Sequence, residues 1–328
     1  MKTFFLQLNL ILFMVSSAIA QDTLNTVEKS VNPAVKQAAY KLNKSPQALG
    51  ISQAALTRVK AMQNPPVNIA LFAVDRRKED ELGNSDVIMI ISLDQITKKI
   101  KMTSILRDTY VEIEGKGKDK INAAFAIGGP QLAIKTLNQN FGLDIQDYIN
   151  VDFFGTAKMI DALGGVDVNL KPEEIPYLNN YLQEISIIEH IPATPVKVPG
   201  LQRLNGKQTV AYTRIRAVGR GDFERTERQR TVLVALFNKL QGAGAEVFPV
   251  FMSQILPNLE TSMSNMTLFK IGGDILGSKS KTIEQARFPT DTMSKGIRVN
   301  NIWYLSADLK ATTQSLHNFI YKNIPPVK

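Results

Sequence analysis

The chain has 328 residues, 44% hydrophobic and 21% charged, which is ample for a sizeable core, and a formal net charge of +9 that favours an anionic partner: nucleic acid, a membrane surface or a phosphorylated polymer. It has no cysteine and only two histidines, His190 and His317. That excludes disulfides, thiolate metal sites and cysteine nucleophiles, gives little basis for a His-rich zinc centre or a Ser-His-Asp triad, and leaves the chemistry to carboxylates, arginines and a metal held through oxygen.

In chain order, residues 1–20 (MKTFFLQLNLILFMVSSAIA) carry a basic residue, an apolar run and the small-residue pattern Ala18-Ile19-Ala20. This predicts export, by a cleaved signal peptide or an uncleaved membrane anchor, and places the rest of the chain outside the cytoplasm. Residues 21–66 are polar and end at the break Asn64-Pro65-Pro66, as a linker or stalk would. The main domain is expected over 67–328. Apolar runs of strand length occupy 67–74, 86–93 and 98–106, with shorter ones at 109–114, 147–153 and 166–170. Near-continuous apolar strands imply a sheet covered on both faces. Helical spacing marks 129–142 and 153–165. Residues 171–203 hold five prolines and are expected to be an insertion or long loop. Helices are predicted at 204–213, about 223–241, 247–256 and 264–276, then a strand near 297–305 and a last helix over 308–322. The alternation predicts an α/β fold, with a mixed β-sheet sandwiched between helical layers.

Three charged clusters stand out. The stretch YTRIRAVGRGDFERTERQR (212–230) holds six arginines and no lysine. Arg225 and Arg228 continue the core-facing stripe of the following helix, so they point inward at its N-terminus, where guanidinium forks could grip phosphate oxygens in pairs. The plainer reading is a solvated face, with Arg225, Arg228 and Arg230 paired to Glu224 and Glu227. In AVDRRKEDELGNSDV, Asp75 follows one strand and Asp86 begins the next, so a hairpin would bring two hard oxygen donors to one sheet end, as Mg²⁺ or Mn²⁺ requires; a charged surface turn is the alternative. The third cluster offers Arg107, Asp108, Lys120 and Asn122, a weak signal by itself.

Together these segments resemble the LytR-CpsA-Psr family of cell-envelope phosphotransferases. The resemblance runs from about 67 to 240: Asp75-x-Arg77, Ser85-Asp86, the run from Ser104 to Val111, Lys120 to Gly129, Asp161 to Val168, Leu204 to Arg216 and Gly221 to Gln229. Leu106 stands where the family usually has proline, and Ala73 where it usually has glycine; neither removes a charged residue. The resemblance implies an enzyme that moves a glycopolymer phosphate, of the teichoic acid or capsular type, from a polyprenyl-pyrophosphate carrier to a peptidoglycan sugar at the membrane surface. Arg77, Arg107, Lys120, Arg214, Arg216 and Arg225 would bind the pyrophosphate, Asp75 and Asp86 the metal, and Arg77, Arg107, Asp108 and Asp222 would make up the catalytic set. Asp222 is either a general base or a helix N-cap. Phe125, Phe154, Leu233 and Phe237 are candidates for a lipid slot, or plain core. A hydrolase of the same carrier, a non-catalytic carrier-binding protein and a transcriptional regulator are the alternatives. The last is disfavoured by export and by the lack of a nucleic-acid-binding motif.

Overall fold

The computed structural model describes residues 41–74, 82–276 and 283–327. The expected export segment, Asp75 and Arg77 lie outside these ranges. A six-stranded sheet forms the centre, built from β1 (Val67–Val74), β2 (Ser85–Leu93), β3 (Ile100–Ile105), β6 (Asp147–Asp152), the short β9 (Glu260–Thr261) and β10 (Ile283–Phe288), in the order β10-β3-β2-β1-β6-β9. The pairs β1–β2, β2–β3 and β6–β9 are antiparallel, whereas β10–β3 and β1–β6 are parallel. The mixed sheet expected from the sequence is therefore present.

Strand parity divides the core. Ala70, Phe72 and Val74 of β1, with Ile88 and Ile90 of β2, pack on α2 (Ala123–Phe141) and α8 (Leu309–Lys322). On the other face, Ile69, Ile91, Leu93 and Ile149 meet α3 (Phe153–Ala162), α6 (Asp222–Ala243), α7 (Asn265–Leu276) and the irregular helical segment 244–258. The α2 helix bends at Gly128 and Gly129, the latter at φ 61°, before Pro130. That glycine pair and proline explain why the sequence shows helical periodicity only from 129 onward.

Two expectations about segments are corrected. Residues 45–60 are not a stalk: Leu49, Ile51 and Ala55 are buried in the α2-side core, and α1 (Gln53–Lys60) is capped by Ser52. Their apolar residues are few and spread out, so no period announces them. Nor is 171–203 a long loop. It contains α4 (Ile175–Glu189), while β8 (Gly200–Leu204) pairs with β7 (Val166–Leu170). Leu178, Leu182 and Ile185 of α4 make a second core with α5 (Gly206–Arg214) and Val232 of α6. Proline at 172 and 176 falls at helix starts, where its missing N–H costs nothing. The hairpins β4 (Tyr110–Ile113)–β5 (Gly117–Lys120) and β11 (Ser294–Val299)–β12 (Ile302–Ala307) complete the fold.

The second core depends on one close approach. A Cβ on Gly206 would stand 2.1 Å from the carbonyl oxygen of Ala157, so only glycine lets α5 lie against α3. Gly206→Ala should destabilise by about 1–3 kcal/mol or more, as backbone must move. The check is a lower urea midpoint at unchanged m-value.

Candidate active site

The register of the sheet places the first pair. Met89 pairs with Ser104 and Ile90 with Thr103, so past the end of that ladder Asp86 comes opposite Arg107. The turn carrying Arg107 is fixed on several sides: Thr109 N–H and Oγ1 donate to the Leu106 carbonyl, Asn122 N–H donates to the Arg107 carbonyl, and Leu106 N–H donates to the Phe288 carbonyl. Arg107 Nη1 lies 2.5 Å from Asp86 Oδ1. Its Nε and Nη2 each reach Asp222 at 2.9 Å, one to each carboxylate oxygen; the contact to Oδ2 is a well-aligned hydrogen bond and the contact to Oδ1 is not.

The helix α6 brings the second arginine. Gly219 and Gly221, at φ 83° and 74°, turn the chain sharply into its first turn. The N-cap position is Gly221 and has no side-chain cap, so Asp222 does not cap the helix; its carboxylate faces Arg107 instead. Three residues on, Arg225 is almost fully buried and gives Nη2 to Asp86 Oδ2 at 2.8 Å. Among the described residues its Nε and Nη1 are buried without a hydrogen-bond partner, Nη1 standing 3.7 Å from Asp222 Oδ1. Arg216, on the loop after α5, stands 3.9 Å from Asp86 and 3.8 Å from Asp222. Asp108 lies 3.7 Å from Arg107 Nε and takes Lys120 Nζ at 2.6 Å.

The electrostatics follow from this crowding. Burial by itself would raise the Asp86 carboxyl, but Arg225 and then Arg107 outweigh it and hold the group below the ordinary aspartate value. For Arg107, burial is outweighed by Asp222, Asp86 and Asp108, which push it up. Arg216 moves the other way, because burial and the charges of Arg225 and Arg107 exceed the help of the two carboxylates. Among the described residues the cluster sets three guanidinium groups against the carboxylates of Asp86 and Asp222.

The other arginines of the 212–230 stretch separate by role. Arg228 is buried and pairs with Glu174 at 2.8 Å, donating also to the carbonyls of Ile215 and Val218, so it pins the loop that presents Arg216. Glu174 lies in the segment expected to be a loop, and only the folded second core reveals this pairing. Arg230 reaches Ser104, with burial lowering its pKa to about 10. Arg220 lies at the surface with Glu224 and Asp291. Arg214 takes Glu184 of α4 at 3.4 Å and stands over the Tyr181 ring. The solvated-face pairing with Glu224 and Glu227 is thus absent for Arg225 and Arg228.

The four proposed lipid-slot residues do not form one slot. Phe125 is fully buried against Phe72 on the α2 face, whereas Phe237 packs with Leu93 and Ile100 on the α6 face, Leu233 is half-buried on α6 and Phe154 is exposed. The sheet lies between Phe125 and Phe237. The α6 face instead offers an apolar floor that sequence reasoning missed: Val87, Ala73 and Val151 are side by side across β2, β1 and β6, followed by Met89, Leu71 and Ile149. All but Met89 are only half-buried, in the middle of a sheet. The signal was available as the odd positions of β1. As for metal, Asp86 is the described member of the expected pair and both its oxygens already meet guanidinium groups; among the described residues no three His, Cys, Asp or Glu are placed to hold an ion.

Comparison with known proteins follows the same lines. The model of the LytR_cpsA_psr family matches residues 20–319. A polyisoprenyl-teichoic acid–peptidoglycan teichoic acid transferase, TagU of Bacillus mycoides (strain KBAB4), is 31% identical over 283 residues, covering 85% of this chain and 84% of that protein. The regulatory protein MsrR of Staphylococcus aureus (strain COL) is 39% identical over 172 residues, 52% of this chain and 48% of its own. Among solved structures, B. subtilis TagV is 27% identical with TM-score 0.62, covering 79% of this chain and 98% of its own. YwtF (TagT) with bound octaprenyl pyrophosphate lipid has the same fold, at TM-score 0.62 and 20% identity over 86% of this chain and 99% of its own.

The Arg228–Glu174 pair yields a prediction. Arg228→Ala leaves a buried carboxylate unpaired and should cost about 3–5 kcal/mol, lowering the melting temperature by roughly 5–10 °C. Replacing both residues by methionine should recover much of that stability, read by calorimetry, while the loop bearing Arg216 stays loose.

Proposed function

Because the chain belongs to the LytR-CpsA-Psr family, we propose that it transfers a glycopolymer phosphate, of the teichoic acid or capsular polysaccharide type, from a polyprenyl-pyrophosphate carrier to peptidoglycan. The observation that carries this reading is Arg225: a buried guanidinium whose Nε and Nη1 find no hydrogen bond among the described residues, beside Arg107 and Arg216, where an anion would complete the set. The half-buried floor of Leu71, Ala73, Val87, Ile149 and Val151 adjoins that cluster through the Asp86–Val87 bond and offers the carrier's hydrocarbon a surface that is costly to leave in water.

In this reading Arg107, Arg216 and Arg225 hold the pyrophosphate, with Arg77 from outside the described residues. The acceptor hydroxyl oxygen forms a bond to the sugar-linked phosphorus, its proton passes to a phosphate oxygen or to solvent, and the bond from that phosphorus to the bridging oxygen breaks. Polyprenyl phosphate leaves with the electron pair, its new charge met by guanidinium donors already in place. Asp222, gripped by the Arg107 fork, orients that arginine. Asp108 and Lys120 form the edge from which the acceptor arrives. Mg²⁺ or Mn²⁺ at Asp86 and Asp75 belongs to the same proposal; when bound it would neutralise phosphate oxygens, and at Asp86 it would replace a guanidinium contact. We place the domain in the cell envelope, outside the cytoplasm, exported or anchored by residues 1–20. N-terminal sequencing of native protein should begin at Gln21, or at Met1 in a membrane fraction; the whole domain in the cytoplasm would overturn this location.

The site makes distinct demands on each residue. Arg107→Lys, Arg216→Lys and Arg225→Lys should each weaken binding of a synthetic polyprenyl-pyrophosphate glycan by roughly 10- to 100-fold, since the fork is lost while charge stays. Arg220→Lys should be near neutral, and Arg214→Lys should cost less than Arg225→Lys. Asp222→Asn should lower carrier affinity along with rate; a fall in rate alone would make Asp222 the base. Wild-type affinities in all the Lys variants would sink the clamp. Asp86→Ala should abolish metal uptake in calorimetry, and turnover unchanged in EDTA would remove the metal from the proposal. Product analysis separates transfer from hydrolysis: glycan on peptidoglycan, or glycan phosphate released to water.

A further inference from the structure

The acceptor in this reaction is an uncharged sugar hydroxyl, which guanidinium groups attract only weakly. Its binding has to come from apolar sugar faces and hydrogen bonds, so an aromatic surface is wanted close to the arginine cluster. Among the described residues three aromatic side chains are substantially exposed, Tyr177, Phe154 and Trp303, at 38%, 42% and 40%. Trp303 stands beside a residue of the site: Lys120 Nζ, which Asp108 holds at 2.6 Å, is 5.9 Å from its ring centre.

Trp303 is also held rigidly. It sits on β12, opposite Arg298 of β11, and its Nε1 edge fills the space beside Gly296; a Cβ there would lie 2.8 Å from Nε1. Glycine at that position fixes where the indole rests. The strand is tied to the catalytic turn itself: Leu305 N–H donates to the Asp108 carbonyl at 2.9 Å, Thr109 bridges to Leu305, and Tyr304 packs on Tyr110 with ring centres 4.6 Å apart. Lys120 lies 5.8 Å from the Tyr304 ring as well. A hairpin more than 170 residues along the chain from Lys120 is thereby mounted as a rigid shelf on the turn that carries Arg107 and Asp108.

We propose that the exposed indole of Trp303, with Lys120 and Asp108 at its border, is the acceptor subsite, stacking one pyranose ring of a peptidoglycan glycan strand so that a neighbouring hydroxyl faces the pyrophosphate. This rests on the transferase reading above. A large, stiff, amphipathic ring loses little entropy on binding, which suits a ligand with weak individual contacts. The ammonium of Lys120 and the carboxylate of Asp108 supply a donor and an acceptor for sugar hydroxyls. The competing role is structural: Trp303 merely covers a glycine in a two-stranded hairpin.

Trp303 is the single tryptophan of the chain, so its fluorescence reports this place alone. Titrating the unmodified protein with uncrosslinked peptidoglycan glycan oligomers, and with a β-1,4-linked N-acetylglucosamine tetramer as a simpler probe, should give a saturable change in emission; a dextran oligomer is the control. Trp303→Ala should raise the acceptor KM roughly tenfold while carrier affinity stays at the wild-type value, and Trp303→Tyr should restore most of it. No emission change with either probe, or an unchanged KM in Trp303→Ala, overturns the subsite. A drop in melting temperature with unchanged KM assigns Trp303 to the hairpin alone, which also overturns it. If the protein binds carrier and responds to glycan but transfers nothing, the transferase reading fails, the acceptor role falls with it, and Trp303 is left as a glycan-binding site.

Discussion

Asp86 is the interaction on which the site depends. Its two oxygens are shared between Arg107 from the end of β3 and Arg225 from the first turn of α6, so one carboxylate joins the ends of the central strands to the helix that crosses them. Register supplies one half of this contact and the glycine turn at 219–221 the other. Asp222 repeats the pattern on the opposite side of Arg107. Two carboxylates among three guanidinium groups make a framework that is stable yet still electropositive.

Buried charge of this kind is costly to assemble, and the rest of the fold carries that cost. The sheet is closed tightly on its α2 face, where Phe72, Phe125, Ile134 and Phe141 are fully buried. The α6 face is looser, and the looseness lies next to the charges. The second core, with the buried Arg228–Glu174 pair, fixes the loop of Arg216 without entering the site. Tight packing and the charged cluster thus lie on different faces of the same sheet.

The C-terminal part of the chain has a comparable division. Its helix α8 completes the tight core, while the β11–β12 hairpin leans on the Asp108 turn and leaves Trp303 open. An element remote in sequence thereby borders the same cluster. Such placement allows the surface of the hairpin to vary without disturbing the arginine–aspartate cluster.

Local chemistry made much of this legible in the sequence. Apolar runs marked β1, β2, β3 and β6, because strands buried on both faces need continuous hydrophobicity, and ordered motifs of arginine and aspartate marked the family and its charged residues. Partnership was not legible. Six arginines in nineteen residues look alike in one dimension, yet they end on Asp86, Glu174, Ser104, Glu184 and the surface, because helical phase and the neighbouring elements choose the partner. The burial of Leu49 and Ile51, the helix within the proline-rich 171–203 segment, the half-covered floor around Leu71 and the mounting of Trp303 are likewise decided by contacts between segments far apart in the chain. Sequence determines which side chains could bind an anion; tertiary packing decides which of them are left with donors unsatisfied, since only desolvation turns a spare N–H into a site.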